Sequence, residues 1–205
     1  MDIRALFQLS YGVFVLSTKS GEKVNGCITN TFIQVAENPS RVAFAVLNTN
    51  YTCELIKESG VFAASILDNS VQFETIKHFG MQSGRNVDKY AGMDLPKDQN
   101  GCPYLNESAC AVISGKVIDS VVMDTHTLFI AEVLDMELLS DKGPLTYADY
   151  HARVKPQPKK EEKDKKIVGW RCTICQYEYE GSELPEDYLC PLCGHGKEDF
   201  EPIYE

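Results

Sequence analysis

Cys172-Thr-Ile-Cys175 and Cys190-Pro-Leu-Cys193 decide how the end of this chain folds. Two Cys-x-x-Cys pairs separated by fourteen residues can bring four thiolates onto one tetrahedral metal ion. Both Zn²⁺ and Fe accept that donor set. Burial alone cannot hold so short a segment, because domains below roughly 40 residues usually need a metal or a cross-link. Trp170, Tyr177, Tyr179, Tyr188 and Phe200 place aromatic rings around the cysteines, enough for a small dry core against the sulfurs. Spacing by itself leaves zinc and iron both open.

The strings Trp170-Arg-Cys-Thr-Ile-Cys, Leu184-Pro-Glu-Asp-Tyr-Leu-Cys-Pro-Leu-Cys-Gly194 and Lys197-Glu-Asp-Phe200 resemble rubredoxin, over residues 167–205. The resemblance implies one iron held by Cys172, Cys175, Cys190 and Cys193, cycling between Fe³⁺ and Fe²⁺. Two departures stand out. The span between the pairs is shorter than in free-standing rubredoxins and is similar to rubredoxin modules fused to other proteins. Gln176 stands where the family favours Gly, at a place where the backbone takes φ > 0 and a side chain is strained.

The whole chain has 205 residues, room for one or two domains. Its hydrophobic fraction of 43% is that of a globular protein, and no apolar run reaches the roughly 18 residues of a membrane helix. Met1-Asp-Ile-Arg-Ala-Leu-Phe lacks the basic and apolar regions of a signal peptide, so a cytoplasmic location with reduced thiols is expected. Cys27, Cys53, Cys102 and Cys110 lack metal spacing and are read as buried or incidental thiols. Net charge is −10, and residues 167–205 carry nine acids against Arg171 and Lys197. That balance argues against nucleic acid or an anionic membrane as a partner. Residues 153–166 hold seven bases, three acids and two prolines. They are expected to form a flexible charged linker with ends roughly 20 Å apart. Domains are therefore expected at 1–152 and 167–205.

Residues 1–152 read mainly as β-structure with short helices. A helix is expected over 2–9, capped by Asp2. Strands are expected over 11–17, 23–35 and 41–47, the first two flanking a turn at Ser20-Gly21. A helix over 53–59 stops at Gly60, a buried strand follows over 61–67, and a second helix spans 71–79 behind Asn69 or Ser70. Residues 109–122 and 125–139 form a long antiparallel pair around Met123-Asp124. Many strands and few helices point to a barrel.

Three elements carry chemistry. Asn25-Gly-Cys-Ile-Thr-Asn-Thr31 sets small and hydroxyl residues on a strand, where a flat polar ligand can approach the backbone. Asn48-Thr-Asn-Tyr-Thr52 opens a helix, where free N–H groups suit a phosphate, although such a start also serves as a plain cap. Phe79-Gly-Met-Gln-Ser-Gly-Arg85, running on to Asp88-Lys-Tyr90, is a glycine-rich loop with two cations. In this order and spacing the three resemble the flavin reductase-like split-barrel family, which binds FMN. The resemblance implies a mainly β, FMN-binding split β-barrel. It puts Thr29, Asn30 and Thr31 beside the isoalloxazine ring. Asn48, Tyr51 and Thr52 would hold the phosphate, helped by Ser83, Arg85 and Lys89, and Phe79 would lie against the pocket. His126 matches a histidine near the flavin and is the candidate catalytic residue, although a core histidine fits the sequence equally well. Leu145-Thr-Tyr-Ala-Asp-Tyr-His151 resembles the end of the flavoredoxin branch, which would bring Tyr147 and His151 to the site. A homodimer is implied by the same resemblance.

The combination is similar to the high-molecular-weight rubredoxin family of anaerobic bacteria. That resemblance implies electrons passing from NAD(P)H, directly or through an NAD(P)H-dependent reductase, to FMN. They then pass to the iron and on to a flavodiiron protein that reduces O₂ or NO. Two rival readings stay open on the sequence: a flavin reductase releasing reduced FMN to an oxygenase, with a structural zinc ribbon, and a non-enzymatic binding module.

Overall fold

The computed structural model describes residues 1–156 and 166–204, which divide between two compact units, Met1–Lys155 and Pro156–Glu205. In the first unit, alternation of apolar and polar residues gives β1 (Phe14–Ser20), β2 (Lys23–Thr29), β3 (Phe32–Glu37) and β4 (Ser40–Leu47). Then follow α1 (Tyr51–Ser59), β5 (Val61–Leu67), α2 (Phe73–Gly80) and the long pair β6 (Ala109–Val122) and β7 (His126–Leu138). All seven strands lie in one antiparallel sheet, ordered β2-β1-β5-β6-β7-β4-β3. The two end strands are consecutive in the chain, so the sheet curls until its ends meet. Thr29 Oγ1 donates to the Ala45 carbonyl and Ala45 N–H donates to the Thr31 carbonyl, each at 3.1 Å. These bonds tie β2, β3 and β4 together at the seam of the expected barrel.

The inner face is apolar because period-two alternation points Phe14, Leu16, Phe32, Phe44, Phe62 and Phe129 to one side. A second cluster lies on the opposite side of β1 and β5, where Val13, Val15 and Leu67 meet α2 and the segment around Leu145 and Tyr150. The β1–β2 hairpin turns at Gly21-Glu22, with Gly21 at φ 59°, and Met123 N–H closes the β6–β7 turn on the His126 carbonyl at 2.8 Å.

Several expectations shift. The run 23–35 is two strands, because the seam bonds at Thr29 and Thr31 turn the chain at Asn30. The N-terminal helix is a 3₁₀ helix, Ile3–Gln8. α2 begins at Phe73 and is capped by neither Asn69 nor Ser70. Instead Asp68 Oδ1 accepts from the Ser70 N–H and hydroxyl, at 2.7 and 2.5 Å, and holds those residues in a turn. The first residues of the expected linker belong to the barrel unit. Helix Tyr147–Asp149 runs into a π-helical turn, Tyr150–Val154, and Arg153 pairs with Asp149 at 2.9 Å. The middle of that linker, residues 157–165, lies outside the described residues.

The second unit is a sheet of β8 (Ile167–Cys172), β9 (Glu178–Glu180) and β10 (Phe200–Tyr204), ordered β10-β8-β9. Its small core joins Cys172, Cys190, Leu184 and Phe200 to Trp170, Tyr179 and Tyr188. The Tyr188 ring meets Tyr179 and Phe200 edge-on, at 4.7 and 5.5 Å.

α1 is delimited at both ends. Asn50 Oδ1 accepts the Thr52 N–H at 2.9 Å, and Gly60, at φ 69°, returns its N–H to the Ile56 carbonyl. Asn50→Ala should therefore destabilise the barrel unit by about 1 kcal/mol, and Asn50→Asp by much less. Urea unfolding followed by circular dichroism measures the difference.

Candidate functional site

The metal centre is built by two matching hairpin loops. Gln176 N–H donates to the Cys172 carbonyl at 2.9 Å, and Gly194 N–H donates to the Cys190 carbonyl at 2.8 Å. Each loop needs a left-handed residue after its second cysteine, and the structure has Gln176 at φ 65° and Gly194 at φ 74°. The loops aim four Sγ atoms at one point, all within 4.8 Å of one another. Cys172 Sγ lies 3.6 Å from Cys193 Sγ, and Cys175 Sγ lies 3.3 Å from Cys190 Sγ. Those distances exceed the roughly 2.05 Å of a disulfide. They are near the edge, about 3.8 Å, of a tetrahedron with metal–sulfur bonds of about 2.3 Å. Crowding makes the protons interdependent. Hydrogen bonds from Cys175 and Cys193 pull the Cys172 thiol far down, and Cys172 in turn pushes Cys175 and Cys193 up. A cation at the centre removes that conflict, so the donor set fits a closed four-sulfur metal.

The other cysteines are different. Burial pushes Cys27 up to about 11 and Cys102 up to about 12, and it raises Cys53 and Cys110. They are neutral buried thiols, as expected.

In the barrel unit one group of expected flavin residues gathers at the seam. Thr29, Asn30 and Thr31 turn the corner there. Strand register sets Leu47 opposite His126, so Asn48 follows beside the β6–β7 turn. Asn48 is held from three sides: its N–H donates to the Thr125 carbonyl, Nδ2 to the Met123 carbonyl, and Oδ1 accepts from Thr127 Oγ1 at 2.6 Å. His126 Nδ1 lies 2.8 Å from Thr125 Oγ1. His126 thus begins β7 opposite the end of β4, and β4 separates it from the corner.

A second group forms at the start of α1. Arg85 Nη2 reaches Glu54 at 2.6 Å, and its guanidinium lies 4.9 Å above the Tyr51 ring. Both Tyr51 and Arg85 line an open cavity of about 470 Å³, with Lys23, Lys97 and Tyr90. Behind its wall is Asn25, 1% exposed, whose Nδ2 donates to Thr52 Oγ1 at 3.0 Å while Oδ1 has no partner. A Cβ at Gly84 would run into that amide, so the loop can rest on β2 only with glycine there.

Two expectations, for Thr52 and Lys89, need correcting at this site. Thr52 is fully buried, and Asn50 accepts the N–H groups of Thr52, Cys53 and Glu54, so the helix start is capped from within. Lys89 is 2% exposed, and its Nζ donates to the Gly26 and Phe79 carbonyls at 2.8 and 2.7 Å, so the ammonium is turned to the main chain rather than to solvent. Phe79 is core, 1% exposed, and reaches the cavity only through Tyr90, 5.3 Å away. Tyr147 and His151 pack with Tyr11 and Tyr150. Ser83, which is exposed, accepts the Arg85 N–H at 3.2 Å and shapes the loop. Sequence reasoning missed Lys23 and Lys97, isolated bases on a hairpin and a loop that only the fold brings together.

Residues 6–155 match the flavin reductase-like domain family, and residues 170–201 match the rubrerythrin, rubredoxin-like domain. A high molecular weight rubredoxin of Moorella thermoacetica is 34% identical in an alignment covering 99% of this chain and all of that protein. The chain belongs to the high molecular weight rubredoxin family. A ferric-chelate reductase (NAD(P)H) of Archaeoglobus fulgidus is 36% identical over 74% of this chain and 89% of its own length. The solved flavin reductase HpaC, in complex with NADP⁺, shares the barrel fold. Its TM-score is 0.61 at 24% identity, over 72% of this chain and 92% of that one. The first unit is an FMN-binding domain. The four cysteines of the second are the iron ligands.

Gln176 is the one ligand-loop residue at odds with its backbone. Gln176→Gly should stabilise the small unit by about 1 kcal/mol with the metal content unchanged. Slower metal loss to a chelator, relative to the parent chain, is the measurement.

Proposed function

We propose that this chain relays electrons from NAD(P)H, through FMN, to the rubredoxin-type iron and on to a flavodiiron-type protein that reduces O₂ or NO. The observation that carries the reading is a closed four-cysteine centre on the same chain as a flavin-binding barrel. FMN accepts two electrons as a hydride and can release them singly, whereas such an iron accepts one at a time. The four cysteines fill the metal's coordination, so no substrate can ligate it and the centre suits electron transfer alone. Cys172 and Cys190 are buried, while Cys175 and Cys193 are half-buried and offer the sulfur nearest solvent. Exposed Leu192 precedes Cys193 in the chain, and exposed Leu189 precedes Cys190, in a unit otherwise rich in acids. A small apolar contact ringed by negative charge suits brief docking to a basic face.

In the barrel unit, the corner at Asn30 and Thr31 offers polar groups to the flat edge of the flavin, with His126 at the start of β7, one strand beyond β4. Arg85 and Tyr51 supply charge and an aromatic face for the phosphate end. Val121, Val122 and Met123 leave the turn end of β6–β7 exposed and apolar, and Leu134, Met136 and Leu138 leave a second exposed apolar stretch at the opposite end of the pair. Exposed apolar surface along this pair supports a homodimer.

Anaerobic titration of the full chain with NADH tests the relay. Flavin bleaching should be followed by loss of the visible iron–thiolate absorbance, with iron near one equivalent per chain. Zinc in its place, in protein expressed with adequate iron, would overturn the electron-transfer role of the second unit. Removing residues 167–205 should leave a flavoprotein that NADH still reduces but that passes few electrons to an acceptor. Undiminished acceptor reduction by the truncated chain would favour release of reduced FMN instead.

A further inference from the structure

We propose that Lys89 is a positioning residue, whose buried ammonium closes the 80–90 loop and so aims Arg85 over the start of α1. The inference rests on the reading of Arg85 as a flavin-phosphate contact and adds a determinant that never touches the flavin. The loop begins where α2 ends and finishes at Lys89. Its two ends are joined by that residue: Lys89 Nζ donates to the Phe79 carbonyl at 2.7 Å, and His78 Nε2 lies 2.6 Å from the Lys89 carbonyl. The same ammonium donates to the Gly26 carbonyl of β2 at 2.8 Å, which pins the closed loop to the sheet. Tyr90 Oη, 2.5 Å from Ser17 Oγ, anchors the next residue to β1.

A lysine suits this place for two reasons. The Phe79 carbonyl belongs to the last turn of α2, where carbonyls lack helical partners and the helix dipole favours a cation. An ammonium also carries three donors, enough to serve carbonyls from two elements at once. Burial pulls the Lys89 pKa below the ordinary lysine value, which is the cost of placing the charge there. A group so placed has its strongest effect on whatever the loop carries. At the exposed tip, Asn86 and Val87 N–H both turn back to the Ser83 carbonyl, and Gly84 rests on Asn25. That leaves Arg85 projecting from the tip toward Tyr51 and Glu54. With the loop's base open, the tip would lose the register that sets Arg85 across the helix start.

Comparison of FMN with riboflavin separates positioning from contact, because only FMN has the phosphate. In the intact chain, Arg85→Gln should weaken FMN by roughly ten- to a hundred-fold and riboflavin by less than about twofold. Lys89→Met should lower the FMN-to-riboflavin affinity ratio by about tenfold. In an Arg85→Gln background, Lys89→Met should leave that ratio within about twofold. A further fall in the double variant would mean that Lys89 meets the phosphate directly. Equal weakening of both flavins by Lys89→Met would reduce it to general scaffolding. Either result overturns the proposal. No effect of Arg85→Gln on FMN would sink the phosphate reading itself, and the proposal with it. If Lys89→Met does not fold, Lys89→Gln decides the matter: an uncharged donor should keep the ratio within about twofold. A fall as large as that of Arg85→Gln would show the charge acting on the ligand, against the proposal.

Discussion

Five phenylalanine rings hold the barrel closed. Phe14, Phe32, Phe44, Phe62 and Phe129 come from β1, β3, β4, β5 and β7, and their neighbouring centroids lie between 4.8 and 6.0 Å apart. Each such pair contributes about 0.5–1.5 kcal/mol beyond area burial. The Phe14–Phe32 contact, at 5.2 Å, joins strands from opposite ends of the sheet order. Once those ends are drawn together, the link from β2 to β3 has to turn within Asn30 and Thr31. The hydroxyl-rich corner assigned to the flavin is thus a consequence of closure. There the Thr29 hydroxyl and the Thr31 carbonyl are both engaged across the seam with Ala45.

The small unit solves its stability problem by another route. Its apolar core is a few rings and Leu184, and four sulfurs occupy the centre. Free thiols so close resist joint ionisation, whereas a metal binds them as thiolates and binds the fold with them. Gln176 shows the scale of the competition. A left-handed side-chain residue costs roughly 1–2 kcal/mol, far less than the roughly 10–16 kcal/mol typical of a structural four-ligand metal site. Strain of that size is tolerated without loss of the loop.

What the sequence disclosed follows the same physics. β5 and β6 have the bounds expected from their apolar runs, and Gly60 ends α1, because local pattern and tertiary structure agree there. The cysteine ligand set is legible because ligand spacing is local, and the left-handed Gln176 because its place in the loop fixes φ. Lys89 and Phe79 were not legible. Both sit in a motif rich in glycine and charge that reads as exposed, yet the loop folds back on β2 and carries them inward. A lysine's partners depend on which carbonyls lack bonds, here the end of α2 and Gly26, and only the fold reveals those. Thr52 was misread for a related reason. Asn50 fills the helix start from within, so the hydroxyl one turn inside is left to meet Asn25.

Capping by Asn50 also limits how a phosphate can be held. With the helix N–H groups largely engaged, the proposed phosphate contact would fall to the side chains around the opening, above all Arg85. That guanidinium is already paired, to Glu54 at 2.6 Å, but the two side chains are 49% and 44% exposed. An ion pair so open to water contributes about 0–1 kcal/mol. A charge-assisted hydrogen bond to a phosphate contributes about 1.5–3 kcal/mol. On the proposed reading, exchange of Glu54 for a phosphate oxygen would therefore cost little. Glu54 keeps the guanidinium extended across the helix start before the ligand arrives, and the Tyr51 ring beneath it limits the motion needed. Selection for a phosphorylated flavin then depends less on how many donors surround the phosphate than on how little Arg85 gives up to reach it.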